Sequence, residues 1–213
     1  PDGQAWILPC GEKFRVGNLA HYDLLLGPHL SCRETYDRRL EYAPDIIPIY
    51  DWLYRPAPDG QISSKSPAAC SFKGGERQVD CLRAGIDFEI FPTPMRMSDQ
   101  LARRRKNYRV TLDNYTDGHW GLFGMESLAQ GIPCVTYIHP LNEECFAILK
   151  APAPPFVRCA FGGVDLAEKF REVLSMSEIE WRFLSVIGRE WIERHYDPER
   201  LVWRWDSLYD RLQ

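Results

Sequence analysis

Two periods organise the apolar positions of this chain. Short runs rich in branched residues and closed by turn formers fall at Ala5 to Pro9, Asp23 to Leu26, Ile46 to Tyr50, Ala68 to Phe72, Asp87 to Phe91, Tyr108 to Asp113, Pro133 to Ile138 and Phe156 to Cys159. Such runs read as buried strands. Between and after them apolar side chains recur every three or four positions, as in Trp181, Leu184, Gly188 and Trp191 and again in Leu201, Trp205 and Leu208, which is the stripe of a helix packed on a core. Strands alternating with amphipathic helices predict an α/β fold: a Rossmann-like, open and mostly parallel sheet with helices on both faces. Start signals sharpen the last helices. Ser177-Glu178-Ile179-Glu180 fits a capping box, and Asp197-Pro198 puts a capping acid before a proline suited to a first turn.

Arg55-Pro56-Ala57-Pro58-Asp59-Gly60 interrupts the pattern with a composition that suits neither helix nor central strand. It marks an expected boundary, with residues 1–57 as the tail of one domain and 58–213 as a domain of ordinary length. The 213 residues, 45% of them hydrophobic and 13% aromatic, can bury a core without staples. The formal charge of −4 argues against a dedicated nucleic-acid binder, which needs a basic face for phosphates. Arg103, Arg104, Arg105 and Lys106 are read as a solvated helix end complementing the dipole, with contact to an anionic membrane surface as the alternative. No apolar run reaches the roughly 20 residues of a membrane span. The seven cysteines are scattered and never form Cys-x-x-Cys, so they read as reduced thiols with no zinc site. The expected setting is the cytoplasm, or its face of the membrane.

Chemistry concentrates in the stretch Tyr108 to Val135, which reads as strand, glycine-containing loop, helix, glycine stop and strand. Gly118, Gly121 and Gly124 let the backbone approach a ligand, and the N–H groups of Leu122, Phe123 and Gly124 at the helix start form an anion site in which a diphosphate could sit. Glu126, one turn further on, could accept two hydrogen bonds from a ribose diol. Glycine turns and acids near helix starts also occur without a ligand. Lys73, before Gly74-Gly75, follows a predicted strand and so marks the rim where open α/β sheets bind ligands; a plain surface lysine is the alternative. His119 is open between contact with a donor sugar and ordinary packing. There is no Asp-x-Asp pair to chelate a metal.

Asp113-Asn114, Gly118, Gly121, Glu126-Ser127-Leu128-Ala129, Gly131-Ile132-Pro133 and Val135 resemble the D-(Q/N)…G-x-x-G…E-A-M-A-x-G-x-P-V signature of family 4-like glycosyltransferases of the GT-B fold. Lys73-Gly74 is similar to the family's K-G-T element, and weaker likeness runs from Leu40-Glu41-Tyr42-Ala43-Pro44 to the closing helix around Tyr209. The resemblance implies the C-terminal, donor-binding half of a GT-B fold with a remnant of an acceptor-side N-terminal domain. It implies a hexosyltransferase-like enzyme that uses a UDP or GDP sugar as donor substrate, with no other cofactor, and a glycan of the polysaccharide-building kind or another acceptor. It also implies roles: the ribose on Glu126, the diphosphate on Gly121, Leu122, Phe123 and Gly124, and phosphate charge met by Lys73. The donor-sugar glutamate of many members is replaced here by Gly118, as in a bacterial branch, and an arginine usually found before the K-G lysine is absent, leaving Lys65 as the nearest upstream base. Alternatives are a nucleotide-sugar epimerase on the same fold and a donor-binding module without transfer. The strands before Arg55 are expected to present apolar surface normally covered by the rest of the N-terminal domain.

Overall fold

The computed structural model describes residues 5–7, 24–27, 41–45, 47–56, 67–69, 76–86, 89–90, 95–118 and 120–212. Its strands are β1 (Ala5–Ile7), β2 (Leu24–Gly27), β3 (Glu41–Tyr42), β4 (Pro67–Ala69), β5 (Glu89–Ile90), β6 (Val110–Leu112), β7 (Cys134–Thr136) and β8 (Val157–Arg158). The helices are α1 (Glu76–Arg83), α2 (Met97–Asn107), α3 (Leu122–Ala129), α4 (Pro140–Ile148), α5 (Leu166–Ser175), α6 (Glu178–His195) and α7 (Pro198–Tyr209). Two compact units emerge: one of Ile47–Ile138 with Pro154–Arg194, the other of Pro1–Ile46, His139–Ala153 and His195–Gln213.

The larger unit is built on a parallel sheet in the order β5-β4-β6-β7-β8. Val110, Leu112 and Val135 of the central strands are buried with Cys81 and Ile86, and with Leu166, Phe170, Val173 and Trp181 from α5 and α6. Parallel strands covered on both faces need apolar residues throughout, which is why β6 and β7 are buried at every position. The tryptophan at the head of α6 packs into this core, and its indole N–H donates to the Arg109 carbonyl at 2.7 Å. Before it the capping box is formed. The Ser177 amide and hydroxyl donate to Glu180 at 2.8 and 2.7 Å, and the Glu180 amide donates back to Ser177 Oγ at 3.3 Å. These bonds hold the Glu180 carboxyl below the usual carboxylate range, so this contribution is present near neutral pH and lost as pH falls through the lowered value. Ser177→Ala is expected to lower Tm by about 2–4 °C at neutral pH, with a smaller difference in acid, read by thermal denaturation at both pH values.

The smaller unit has its own parallel sheet, β1-β2-β3. Leu26 of β2 and Ala43 are buried against Leu208 of α7. The same helix donates from Arg204 Nε to the Tyr42 carbonyl at 2.9 Å and from Trp205 Nε1 to the Pro44 carbonyl at 3.0 Å, while Arg211 pairs with Glu41. Of the described side chains before Arg55, Leu26, Tyr42, Ala43, Ile47 and Ile49 are buried and Tyr50 is exposed; the side chains of β1 and the rest of β2, on which the expected apolar surface would lie, are outside the described residues.

Three expectations change. No strand forms at 47–50, the described part of the expected strand; Pro48 lacks a donor, and the Ile49 amide instead turns back to Ile47 O at 2.9 Å. The boundary also moves. Residues 47–56 join the larger unit because side chains there receive their carbonyls: Arg189 bonds Ile49 and Tyr54, Gln130 bonds Leu53, and Arg105 bonds Arg55 and Pro56. Conversely, His139–Ala153 and α7 group with the N-terminal strands. Last, the basic run of α2 is solvated only in part, with Arg103 and Lys106 exposed. Arg104 is fully buried, Arg103 pairs with Glu89 and meets Tyr108, and Arg105 holds the 55–56 carbonyls.

The described cysteines, Cys81, Cys134, Cys145 and Cys159, are buried and form no disulfide with one another. Burial pushes the Cys81 thiol up to about 11 and that of Cys159 to about 12, which leaves them unreactive near neutral pH; Cys10, Cys32 and Cys70 lie outside the described residues. No helix among the described residues is long and apolar enough to cross a membrane.

Candidate functional site

Strand order locates the ligand edge. From β4 the chain passes outward to β5, then returns to the other side of β4 as β6 and continues to β7 and β8. The winding reverses between β4 and β6, which pair directly through Ala69 and Leu112. In open α/β sheets the crevice outside the carboxyl ends of two such strands is where ligands bind. The chain leaving β6 is the Asp113–Gly121 loop that runs into α3. Lys73 follows β4 in sequence and Lys65 precedes it; both, with His119, lie outside the described residues.

Asp113 and Asn114 organise the loop. Asn114 Oδ1 accepts from the Thr116 amide and hydroxyl at 2.9 and 3.1 Å and from the Asp117 amide at 3.3 Å, an Asx-type turn. Its Nδ2 is buried with no acceptor among the described residues, a donor that water or a ligand would satisfy. Gly118 follows with φ +67°, a conformation that favours glycine. Buried Asp113 turns its carboxylate onto the start of α3, where Oδ2 accepts from the Gly121 amide. A Cβ at Gly121 would meet Asp113 Oδ1 at 3.0 Å, and one at Gly124 would meet Oδ2 at 2.8 Å and the Phe156 ring at 3.3 Å. These two glycines thus make room for an internal carboxylate. The Gly124 amide bonds the Gly121 carbonyl at 3.1 Å, so of the amides assigned to an anion, those of Gly121 and Gly124 are used within the chain.

Helix α3 is buried from Phe123 to Ala129, as suits a helix inserted into a core. It ends at Gly131 (φ +69°), where a Cβ would lie 2.7 Å from Ser185 Oγ. Glu126 sits in its middle and is only 3% exposed. Arg104 Nη2 donates to Glu126 Oε2 at 2.7 Å, Arg104 Nε to Gln130 Oε1 at 2.8 Å, and Nη1 to the Phe123 carbonyl at 3.3 Å. The guanidinium also lies over the Phe123 ring, 4.3 Å from its centroid. Gln130 completes the set by donating to the Leu53 and Leu101 carbonyls at 2.6 and 2.9 Å.

Such a network holds the carboxylate in one orientation, because each guanidinium nitrogen named here has an oxygen acceptor. The arrangement therefore unites Glu126 with the α3 start, and adds Arg104, Gln130 and Asp113, which the sequence reading had not assigned to the site. One signal pointed to Arg104: it stands three residues after Leu101 on α2, so it shares that helix's buried stripe, and a charge there requires a buried partner.

Among the described residues no group of three or more His, Cys, Asp or Glu is arranged to hold a metal ion. No protein-family profile matches the chain, and no curated protein matches it. Solved structures do. Sucrose-phosphate synthase from Thermosynechococcus elongatus matches with a TM-score of 0.57 at 16% identity over 90% of this chain and 59% of its own. The GtfA/B complex gives 0.52 at 15% identity over 90% of this chain and 46% of its own, and WaaG, a glycosyltransferase involved in lipopolysaccharide biosynthesis, 0.52 at 13% over 83% and 60%. The chain thus spans at most about three-fifths of the length of these proteins. At such identities the likeness is one of architecture, and on it the chain has the GT-B fold of glycosyltransferases.

Proposed function

We propose that this chain is the donor-binding part of a glycosyltransferase, taking a sugar from a nucleoside diphosphate to a glycan or other acceptor. The observation that carries the reading is the reversal of strand order between β4 and β6, which sets the Asp113–Gly121 loop and the start of α3 at the ligand edge of the sheet. The ribose diol is assigned to Glu126. Arg104 takes Oε2, so the diol falls to Oε1, on a carboxylate already oriented.

With Gly121 and Gly124 engaged internally, the diphosphate is assigned to the Leu122 end of α3, where the helix dipole favours negative charge. Lys73, following β4, would neutralise phosphate charge, with Lys65 a weaker candidate because it precedes that strand. His119 would face the donor sugar from the loop. As the nucleoside diphosphate leaves, charge grows on its phosphate, and amides and an ammonium fixed at that point stabilise it more in the transition state than before. This is electrostatic catalysis and calls for no metal, and the resemblance favours retention at the anomeric carbon. Action in the cytoplasm, on nucleotide sugars made there, is part of the same proposal.

Calorimetry with UDP, GDP and the matching monophosphates tests it. The diphosphates should bind more tightly than the monophosphates, and Lys73→Met should weaken the diphosphates with little change in Tm. Absence of binding by any of the four at millimolar concentration would remove the donor assignment.

A further inference from the structure

The carboxyl rim of the larger sheet carries an aromatic cluster that the donor assignment does not use. Three neighbouring strands each lead into one ring: Tyr115 follows β6, Tyr137 follows β7 and Phe161 follows β8. Tyr115 is buried and Tyr137 half-buried, but Phe161 is 67% exposed, its ring meeting that of Tyr137 edge to face with centroids 5.5 Å apart. A single exposed phenylalanine is ordinary. What sets this one apart is the turn that holds it. Gly162 and Gly163 both take left-handed φ, +71° and +63°, which residues with a side chain adopt only at a cost. The Gly162 amide donates to the Tyr115 carbonyl at 2.8 Å, the Gly163 amide to that of Ala160 at 2.9 Å, and the Ala160 amide to Asp165 Oδ1 at 2.8 Å. A Cβ at Gly163 would meet the Tyr115 ring at 3.0 Å. The turn is thus clamped against the Asp113–Gly121 loop with its phenyl ring in solvent.

The direction in which a donor would lie follows from Glu126. Its partner Arg104 is on α2, the helix that joins β5 to β6, and Arg103 of the same helix pairs with Glu89 of β5. With the ribose on Glu126, the nucleoside end lies toward β5, and the sugar end, across the α3 start, lies toward β7 and β8. There the rim offers an aromatic ring already fixed in place, which lowers the ordering cost of binding. The faces of such a ring are electron-rich, and the flat sides of a hexose present polarised C–H groups, so the two pack together while the hydroxyls stay hydrated. We propose that Phe161, backed by Tyr137, is the platform on which a hexose ring packs, either the sugar of the donor or a ring of the acceptor glycan. This assignment rests on the donor-binding reading and adds to it a residue that selects for the sugar rather than for the nucleotide.

The test is calorimetry on the 213-residue chain with UDP-glucose against UDP, GDP-mannose against GDP, and maltotetraose. Phe161→Ser should change Tm little, because so exposed a ring contributes little to folding. It should weaken the sugar-bearing probes about two- to tenfold, the range for one aromatic contact, and leave UDP and GDP as they were. Phe161→Tyr keeps the ring and should restore the affinity. An effect on the nucleotide sugars alone assigns the platform to the donor sugar, and an effect on maltotetraose alone assigns it to the acceptor. Binding of UDP and GDP by the unaltered chain reports on the donor reading, and the effect of Phe161→Ser reports on the platform, so the two fail separately. The proposal is overturned if no sugar-bearing probe binds, if Phe161→Ser binds them all as tightly as the unaltered chain, or if UDP and GDP weaken in step with their sugars. It is also overturned if the unaltered chain sediments with phosphatidylcholine vesicles and Phe161→Ser does not, which would make the ring a membrane contact.

Discussion

Glu126→Ala is expected to cost about 3–5 kcal/mol of folding stability, seen as a Tm lower by roughly 6–20 °C. The reason lies in the partner. Arg104 has no exposed surface, and its Nη2 is held by Glu126 at 2.7 Å, so deleting the carboxylate strands a guanidinium in the interior. Glu126→Gln, which keeps an oxygen for that donor, should lose less. Replacing the pair together, Arg104→Met with Glu126→Leu, should recover most of the loss, because apolar residues of similar size often match or exceed a buried ion pair in stability. The double variant then separates two roles that the single one confounds. If it folds and still binds nucleoside diphosphates as tightly as the unaltered chain, Glu126 is a packing charge, and the ribose assignment fails.

The second large effect is expected at Trp181. Trp181→Ala should destabilise by about 3–5 kcal/mol through the cavity it opens among Val110, Leu166, Phe170 and Val173. Two other contacts go with it: the indole hydrogen bond to the Arg109 carbonyl and the Arg109 guanidinium, whose Cζ lies 5.4 Å from the ring centroid. Trp181→Phe retains most of the volume but leaves the carbonyl unpaired, and about 1–3 kcal/mol is expected. Denaturant titration of both variants checks the pair; no loss in Trp181→Phe would mean that the hydrogen bond contributes nothing, and equal losses in the two would mean that the packing of the ring contributes nothing.

Trp181 was legible in the sequence because helix period and a capping box fixed both its face and its register. The parallel sheet was legible for the same kind of reason: β6 and β7 are short, branched and bounded by turns. What escaped was decided by partners distant in sequence. Ile46 to Tyr50 has strand-like composition, yet the Ile49 carbonyl is claimed by Arg189, 140 residues away. Arg104 reads as one of four cations at a helix end until Glu126 and Gln130 are seen to receive it. Gly121 and Gly124 follow the spacing of a phosphate loop, and only coordinates reveal that Asp113 occupies the room they leave. Local chemistry therefore predicted the elements well and predicted poorly which charges are spent inside the protein.

The pairing of α7 with the N-terminal strands also sets an order of events during synthesis. Arg204 and the Tyr42 carbonyl it bonds are separated by 162 residues, and at about 5–20 residues per second a ribosome needs roughly 8–32 s to make that much chain. Throughout this interval Leu26 and Ala43 lack the leucine that covers them, whereas the larger unit has all its segments once Arg194 has emerged. The nascent chain thus carries an unfinished sheet past the completion of its neighbour, and ribosome-bound chains stalled before Leu208 are where a holdase chaperone would find its apolar target.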